Sequence, residues 1–417
     1  MDEKTARTIA ATGVTAKSEN AAAKPDLFQL YLARGLRGFG DGFAILILPA
    51  YMTALGYAPA PIGIVATASL LGTAVLTLAV GLIAPRHDLR TLMLLGAALM
   101  AATGIAFPNV EYLVLIAAVA FIGTINPSAG DLGVLVPLEH AMLARGATNE
   151  ERTRVFARYS LIGALSAAVG SLASSAPDVL MSAGVTQLGA FRLMFYAYAL
   201  LGLASAVLYR RLPHARGAEA HHAPLGRSRR TVYGLAALFS IDAFAGGFIA
   251  QSLLLLWLFE RFELSLSAAG LFFFWSSTLS AFSYPVAARI ARRFGLVNTM
   301  VFTHIPSSLF LILAAVAPDL HVALGLLLLR AGLSQMDVPT RTSYVMAVVT
   351  PAERPAAASV TAVPRSLASA ISPAIAGLLL TTAFPGLPLI LCGALKIAYD
   401  LALLFSFRHV RPPEEAN

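Results

Sequence analysis

Charge is what this sequence has least of. Only 12% of its 417 residues are Asp, Glu, Lys or Arg, against 58% hydrophobic residues. A water-soluble globular chain carries about 25% charged residues. There is too little polar side chain to cover a water-facing particle, which excludes the disordered and nucleic-acid-binding classes. Cysteine is nearly absent. The one thiol, Cys392, lies in an apolar run, so no intrachain disulfide is possible and a disulfide-rich secreted scaffold is excluded. Phosphate-cradling Gly-x-x-x-x-Gly-Lys-Ser/Thr loops, nucleophile elbows and metal-ligand clusters are absent too. Neither an ATP-driven pump nor an enzyme is expected, and no cofactor or metal. The segment from Met1 to about Asp26 is polar, rich in Ala and Lys, and has no apolar signal core. It reads as a cytoplasmic tail, with insertion directed by the first membrane helix.

What the chain has is apolar length. Mean hydropathy is +0.74. Apolar windows fall at about 28–54, 62–83, 91–107, 112–136, 154–175 and 190–209, then at 232–258, 266–288, 297–317, 320–346, 356–381 and 386–407. Twelve spans of roughly 20 residues need about 240 residues, which the chain supplies with room for loops. The expected fold class is an all-α polytopic membrane protein with 12 transmembrane helices in two six-helix bundles. The expected organisation is an N-terminal tail 1–27, a bundle 28–209, a basic central loop 210–231, a bundle 232–408 and a C-terminal tail 409–417.

Basic residues sort to one side. The even-numbered connections hold Arg86 and Arg90, Arg145, Arg152 and Arg154, the central cluster from Arg210 to Arg230, Arg289, Arg292 and Arg293, and Arg354. The opposite connections hold almost none beyond Arg261. The asymmetry places both termini in the cytoplasm, in a cell or inner membrane. The formal charge of +8 is explained by this sorting and calls for no nucleic-acid partner. The halves also echo each other. Asp41-Gly-Phe-Ala in the first span matches Asp242-Ala-Phe-Ala in the seventh, and in spans four and ten an aspartate, Asp131 or Asp337, precedes Pro137 or Pro339. Such a parallel repeat suits two bundles rocking about a site near the bilayer midplane.

Two loops carry a family resemblance. Gly81-Leu-Ile-Ala-Pro-Arg86-His-Asp-Leu-Arg90, between spans two and three, and Ala288-Arg-Ile-Ala-Arg-Arg293-Phe-Gly295, between spans eight and nine, resemble the Gly-x-Leu-Ala-Asp-Arg-x-Gly-Arg-Lys signature of the major facilitator superfamily. The family's aspartate is replaced by Pro85 and by Arg292, and Asp88 stands at its second glycine. The resemblance implies the twelve-helix transporter fold and alternating access. It also implies a cytoplasmic latch, with Arg86 facing Asp131 and Arg293 facing Asp337, and with Gly81, Arg90 and Gly295 shaping the loops. Spans one, four, seven and ten line the central cavity in that family.

Ionisable groups at membrane depth are costly and mark function. Asp41 and Asp242 are the candidate proton-coupling carboxylates; Asp41 also has Arg37 four residues before it, on one helix face. Arg37, Asn126, Arg330, Gln335 and Arg365 are the candidate substrate contacts, because a planar guanidinium holds carboxylate or phosphate well. Arg34 is expected to snorkel to the interface. Lys396 and Asp400, four apart, are expected to neutralise each other, the lone His304 of span nine to be packed and hydrogen-bonded, and Glu139-His140 to extend past the membrane. The aromatic run 271–275 is expected to face lipid or the interface.

The expected function is transport of a small, polar or anionic solute by alternating access, coupled to protons. The expected partners are that solute, protons and the bilayer, for a protein acting as a monomer. Two alternatives stand beside it: a proton-driven exporter of drugs or organic cations that uses Asp41 and Asp242 as counter-charges, and a non-transporting receptor on the same fold.

Overall fold

The structure is a computed structural model and describes residues 25–128, 133–146, 151–215, 225–226, 228–350 and 353–407. Hydrocarbon offers the backbone no hydrogen-bond partner, so each apolar run closes its own bonds as a helix. In the first half these are α1 Leu27–Ala54, α2 Pro59–Ile83, α3 Leu89–Ala106, α4 Leu113–Ile122, α5 Leu135–Gly146, α6 Arg152–Leu172, α7 Ala176–Ser182 and α8 Gln187–Tyr209. The second half has α9 Arg229–Gly247, α10 Gln251–Phe262, α11 Leu266–Phe294, α12 Leu296–Ala315, α13 Leu320–Ser334, α14 Asp337–Ala347, α15 Arg354–Leu380 and α16 Leu387–Phe407. Turn chemistry sets several starts. Asp26, Asp88, Thr186, Ser265 and Asp319 each accept a first-turn N–H, and Pro59 opens α2.

Ten helical segments among the described residues are long and apolar enough to cross a membrane, and Leu113–Ile122 is a shorter apolar helix. The 28-residue α1 is long enough as well but carries Arg34, Arg37 and Asp41. A count of twelve requires α1 as the first span and α4 with α5 as the fourth.

Three spans are broken at mid-length. The fourth stops at Ile122 and resumes at Leu135, the seventh is interrupted at 248–250, and the tenth at Gln335–Met336. Pro127 and the Gly246-Gly247 pair mark two of these sites in the sequence. Freed backbone groups find partners nearby: Thr124 N–H donates to Thr103 Oγ1 at 3.3 Å, Ser69 Oγ donates to the Ile125 carbonyl, and Ser252 N–H donates to the Pro127 carbonyl at 3.2 Å. Gly247 permits the seventh span to bend against α15, because a Cβ there would lie 2.5 Å from the Ser369 carbonyl oxygen.

The halves meet at the end that carries the short connections 55–58 and 381–386. A Cβ on Gly63 of α2 would lie 2.5 Å from the Pro373 carbonyl oxygen of α15 and 2.9 Å from Gly377 Cα. Nearby, Thr67 Oγ1 accepts from Ala374 N–H at 2.9 Å, and Ser171 Oγ donates to the Gly270 carbonyl at 3.2 Å. On the basic side of this seal the halves enclose the central cavity.

Two carboxylates tie down the central connection at the basic end. Asp88 accepts from Ala215 N–H at 2.8 Å and from His214 at 2.9 Å. Burial works to raise its carboxyl, but the Ala215 and Thr91 hydrogen bonds prevail and hold it below the usual range. Glu353, at the start of α15, accepts from Gly226 N–H and from Thr350, which hold it down to about 2. The Asp88 tie uses the residue that stands where the family signature has glycine.

Candidate functional site

The central cavity has a volume of about 400 Å³, within the range that encloses a small organic solute. The repeat places Asp41 and Asp242 on its walls, from α1 and α9. Each of the three helix breaks puts an amide side chain there: Asn126, Gln251 and Gln335. Sequence reasoning named Asn126 and Gln335 but missed Gln251, whose signal was its place just after the Gly246-Gly247 bend.

Charge on the walls is unequal. Among the described lining residues, Arg34, Arg330, Arg341, Arg365 and Lys396 are cationic, whereas Asp41, Asp242 and Asp337 are the carboxylates. Most of the cations belong to the second half. Arg341 of α14 bonds Asp242 Oδ2 at 3.1 Å and Asp337 Oδ2 at 2.9 Å, and Lys396 Nζ bonds Asp242 Oδ1 at 2.6 Å. Asp242 and Asp337 are therefore engaged, and Arg330 and Arg365 form no ion pair among the described residues. Arg365 Nε, Asn126 Nδ2 and Gln251 Oε1 are buried without a hydrogen-bond partner. Arg330 and Arg365 are themselves half-buried in the cavity wall.

Several expected pairings are corrected. Arg37 does not pair with Asp41. It bonds Glu139 of α5, which is fully buried and also accepts from Tyr159 and, at 2.5 Å, from Tyr209. Arg37 thus lines no part of the large cavity, and Glu139, expected outside the membrane, is the centre of the first half's polar core. Asp41 accepts instead from Tyr198 at 3.1 Å. Arg34 does not snorkel: it is 5% exposed, packs 5.1 Å over the Tyr159 ring and lines the cavity. Gly163 leaves the room for its guanidinium.

Lys396 and Asp400 do not neutralise each other either. The packing of α16 against α9 and α12 offers each a cross-helix partner. Lys396 turns to Asp242, and Asp400 accepts from His304 Nδ1, 3.0 Å from both carboxylate oxygens. His304 is packed and hydrogen-bonded, in keeping with the expectation, and its Nε2 lies 3.3 Å from Lys396 Nζ. The aromatic run divides: Phe273 lines the cavity, while Leu271 and Trp275 are exposed.

The signature loops sit at the basic end, away from the cavity. Arg86 and Arg293 are exposed, Arg293 stacking on Phe294, and Arg90 reaches His214 at 3.2 Å. Asp337 is bonded to Arg341, not to Arg293. Gly295 turns the chain between α11 and α12 at φ +86°, and a side chain on Gly81 would meet open space. Asp131 lies outside the described residues, as do Arg216, Arg227 and the His221-His222 pair.

The sequence profile of the Major Facilitator Superfamily matches residues 30–250, just over half of the 417-residue chain. An uncharacterized membrane protein of Saccharomyces cerevisiae is 25% identical, over 92% of this chain and 94% of its own. Among solved structures, the nucleoside transporter NupG superposes with a TM-score of 0.70 at 15% identity, over 92% of this chain and 99% of its own. The inward-open xylose transporter XylE from E. coli gives 0.70 at 14%, over 94% and 98%. A bacterial homologue of the iron transporter ferroportin, in its inward-facing state, gives 0.70 at 16%, over 91% and 98%. At these identities the structures share the fold, and nothing about the solute follows from them.

Proposed function

The chain belongs to the Major Facilitator Superfamily and is a multi-pass membrane transporter of that type; on that premise we propose that it moves a small organic anion by alternating access, coupled to protons. The observation that carries the anion is the pair Arg330 and Arg365, set in the cavity wall without an acidic partner. An organic cation would meet the excess of positive charge there, and with Asp242 already held by two cations only Asp41 would be left as its counter-charge. That weighs against the cation-exporter alternative. Proton coupling rests on the buried acid–base groups of the second half and on Asp41.

The seal at 55–58 and 381–386 and the cavity on the basic side correspond to a state open toward the basic loops. With those loops cytoplasmic, as the Arg distribution favours, this is the inward-facing state of a transporter in the cell membrane. The Arg293–Asp337 latch would then form only in the opposite state.

The test is direct binding to purified protein in nanodiscs, read as thermal stabilisation by lactate, succinate and gluconate against choline and glucose. We expect stabilisation by at least one anion, weakened about 10- to 150-fold in affinity by Arg365→Gln, the effect of losing one buried charge-assisted contact. Stabilisation by choline alone, unchanged in Arg365→Gln, would overturn the assignment in favour of the cation exporter.

A further inference from the structure

The second half contains a polar chain that leads from the cavity wall into the protein. Asp242 on α9, Lys396 on α16 and His304 on α12 all line the cavity. Asp400, one turn beyond Lys396, is fully buried behind them. Contacts run Asp242 Oδ1 to Lys396 Nζ at 2.6 Å, Lys396 Nζ to His304 Nε2 at 3.3 Å, and His304 Nδ1 to Asp400 at 3.0 Å.

Donor chemistry assigns the protons. An ammonium has only donors, so Nε2 facing Lys396 must be the accepting nitrogen of the imidazole. Nδ1 then carries the hydrogen and donates to Asp400. His304 is neutral in this state, with an unprotonated nitrogen turned to the cavity side. Around it stand Asp242, Lys396, Asp400 and the edge of Tyr399, with Arg341 and Asp337 beyond Asp242, Arg365 on α15, and the Arg330 carbonyl accepting from Ser307 of α12. Within the bonded cluster, Asp242 and Asp337 face Arg341 and Lys396, with Arg365 close enough to act on both carboxylates, and Asp400 faces His304.

A proton arriving at Nε2 changes the contacts in one direction. The imidazolium can no longer accept from Lys396, and two cations at 3.3 Å repel. Nε2 also lies 3.9 Å from Asp242 Oδ1, so the new N–H can take the place that Lys396 holds. Lys396 is then released while still on the cavity wall, as a further cation beside Arg365. We propose that His304 and Asp400 form a proton site whose occupation swaps imidazolium for Lys396 on Asp242 and so hands Lys396 to the substrate anion. Proton and anion therefore bind together. This rests on the anion reading and adds the direction of coupling: symport, not exchange. The linkage is reciprocal, so the anion must also raise the proton occupancy of His304.

The first test needs no substrate. Nitrogen-15 spectra of histidine-labelled full-length protein in nanodiscs identify His304 by its loss in His304→Gln or, should that variant not fold, by its displacement in Asp400→Asn. We expect one proton, on Nδ1, in spectra taken at about pH 8 and a second, on Nε2, in spectra taken at about pH 5. Protonation on Nε2 alone at the higher pH, or a single proton throughout, would overturn the proposal. The second test is flux of radiolabelled lactate, succinate and gluconate into proteoliposomes. Half-saturation should fall about 5- to 150-fold between the two pH values, the usual size of coupling between two sites. His304→Gln should be flat and carry the anion without a proton. A rise in half-saturation on acidification would mean exchange and defeat the proposal. If choline moves and the anions do not, the anion reading fails, and the spectra still decide the proton site.

Discussion

Replacing Gly63 by leucine stops net transport while leaving a folded protein that still binds its solute. Gly63 on α2 faces Gly377 and the Pro373 carbonyl of α15, and even one added carbon would sit 2.5 Å from that oxygen. Neither neighbour is a flexible side-chain tip that could swing aside, so the halves must separate at this seal. Overpacking of this kind costs about 1–3 kcal/mol, which moves a two-state equilibrium about 5- to 150-fold away from the sealed form. The contact exists only where the halves close, so each bundle by itself is undisturbed. Spin labels at the exposed Tyr112 and Phe384, in a Cys392→Ser background, read the separation at that end. Gly63→Leu should shift the distance distribution to longer values and cut flux about tenfold or more. An unchanged distribution with normal flux would mean that this face is not a moving seal.

The second large effect is on stability. Glu139→Ala should cost about 3–5 kcal/mol, the loss expected when one partner of a buried pair is removed and the other charge is stranded. Here the stranded group is Arg37, 5% exposed, with Tyr159 at 3.3 Å as its remaining side-chain partner. Tyr209 also loses the acceptor it holds at 2.5 Å. The double variant Arg37→Met with Glu139→Leu should recover most of the loss, because replacing both charges by apolar groups of similar size is often neutral. Thermal unfolding of the single and double variants in detergent checks both numbers. A single variant as stable as the parent would place Glu139 outside the core after all.

These two residues also show what the sequence could and could not tell. The apolar helices and the cavity-wall positions of Asp41 and Asp242 were legible because bilayer thickness and the cost of a buried charge act on each segment separately. The pairing of charges was not. Arg37 and Asp41 share one helix face, as do Lys396 and Asp400, and the local spacing favours pairing within the helix. Packing overrules it by bringing Glu139 to Arg37, Asp242 to Lys396 and His304 to Asp400, across sequence separations of 102, 154 and 96 residues. No local signal encodes such meetings. The breaks were half legible: Pro127 and Gly246-Gly247 announce irregular backbone, but not that the amide of Gln251 would turn to the cavity. Arg341 was missed because it lies among Thr and Ser close to the basic end, where an arginine reads as an interface anchor. The break at Gln335–Met336 starts a new helix at Asp337 and turns Arg341 inward to Asp242.

The most direct measurement of the central claim is uptake by proteoliposomes holding an internal pH dye, offered organic anions, organic cations and neutral sugars in separate pools. Uptake from the anion pool alone is expected, with acidification of the lumen and with loss of that uptake in Arg330→Gln and Arg365→Gln. Uptake from the cation pool that survives both substitutions would contradict it.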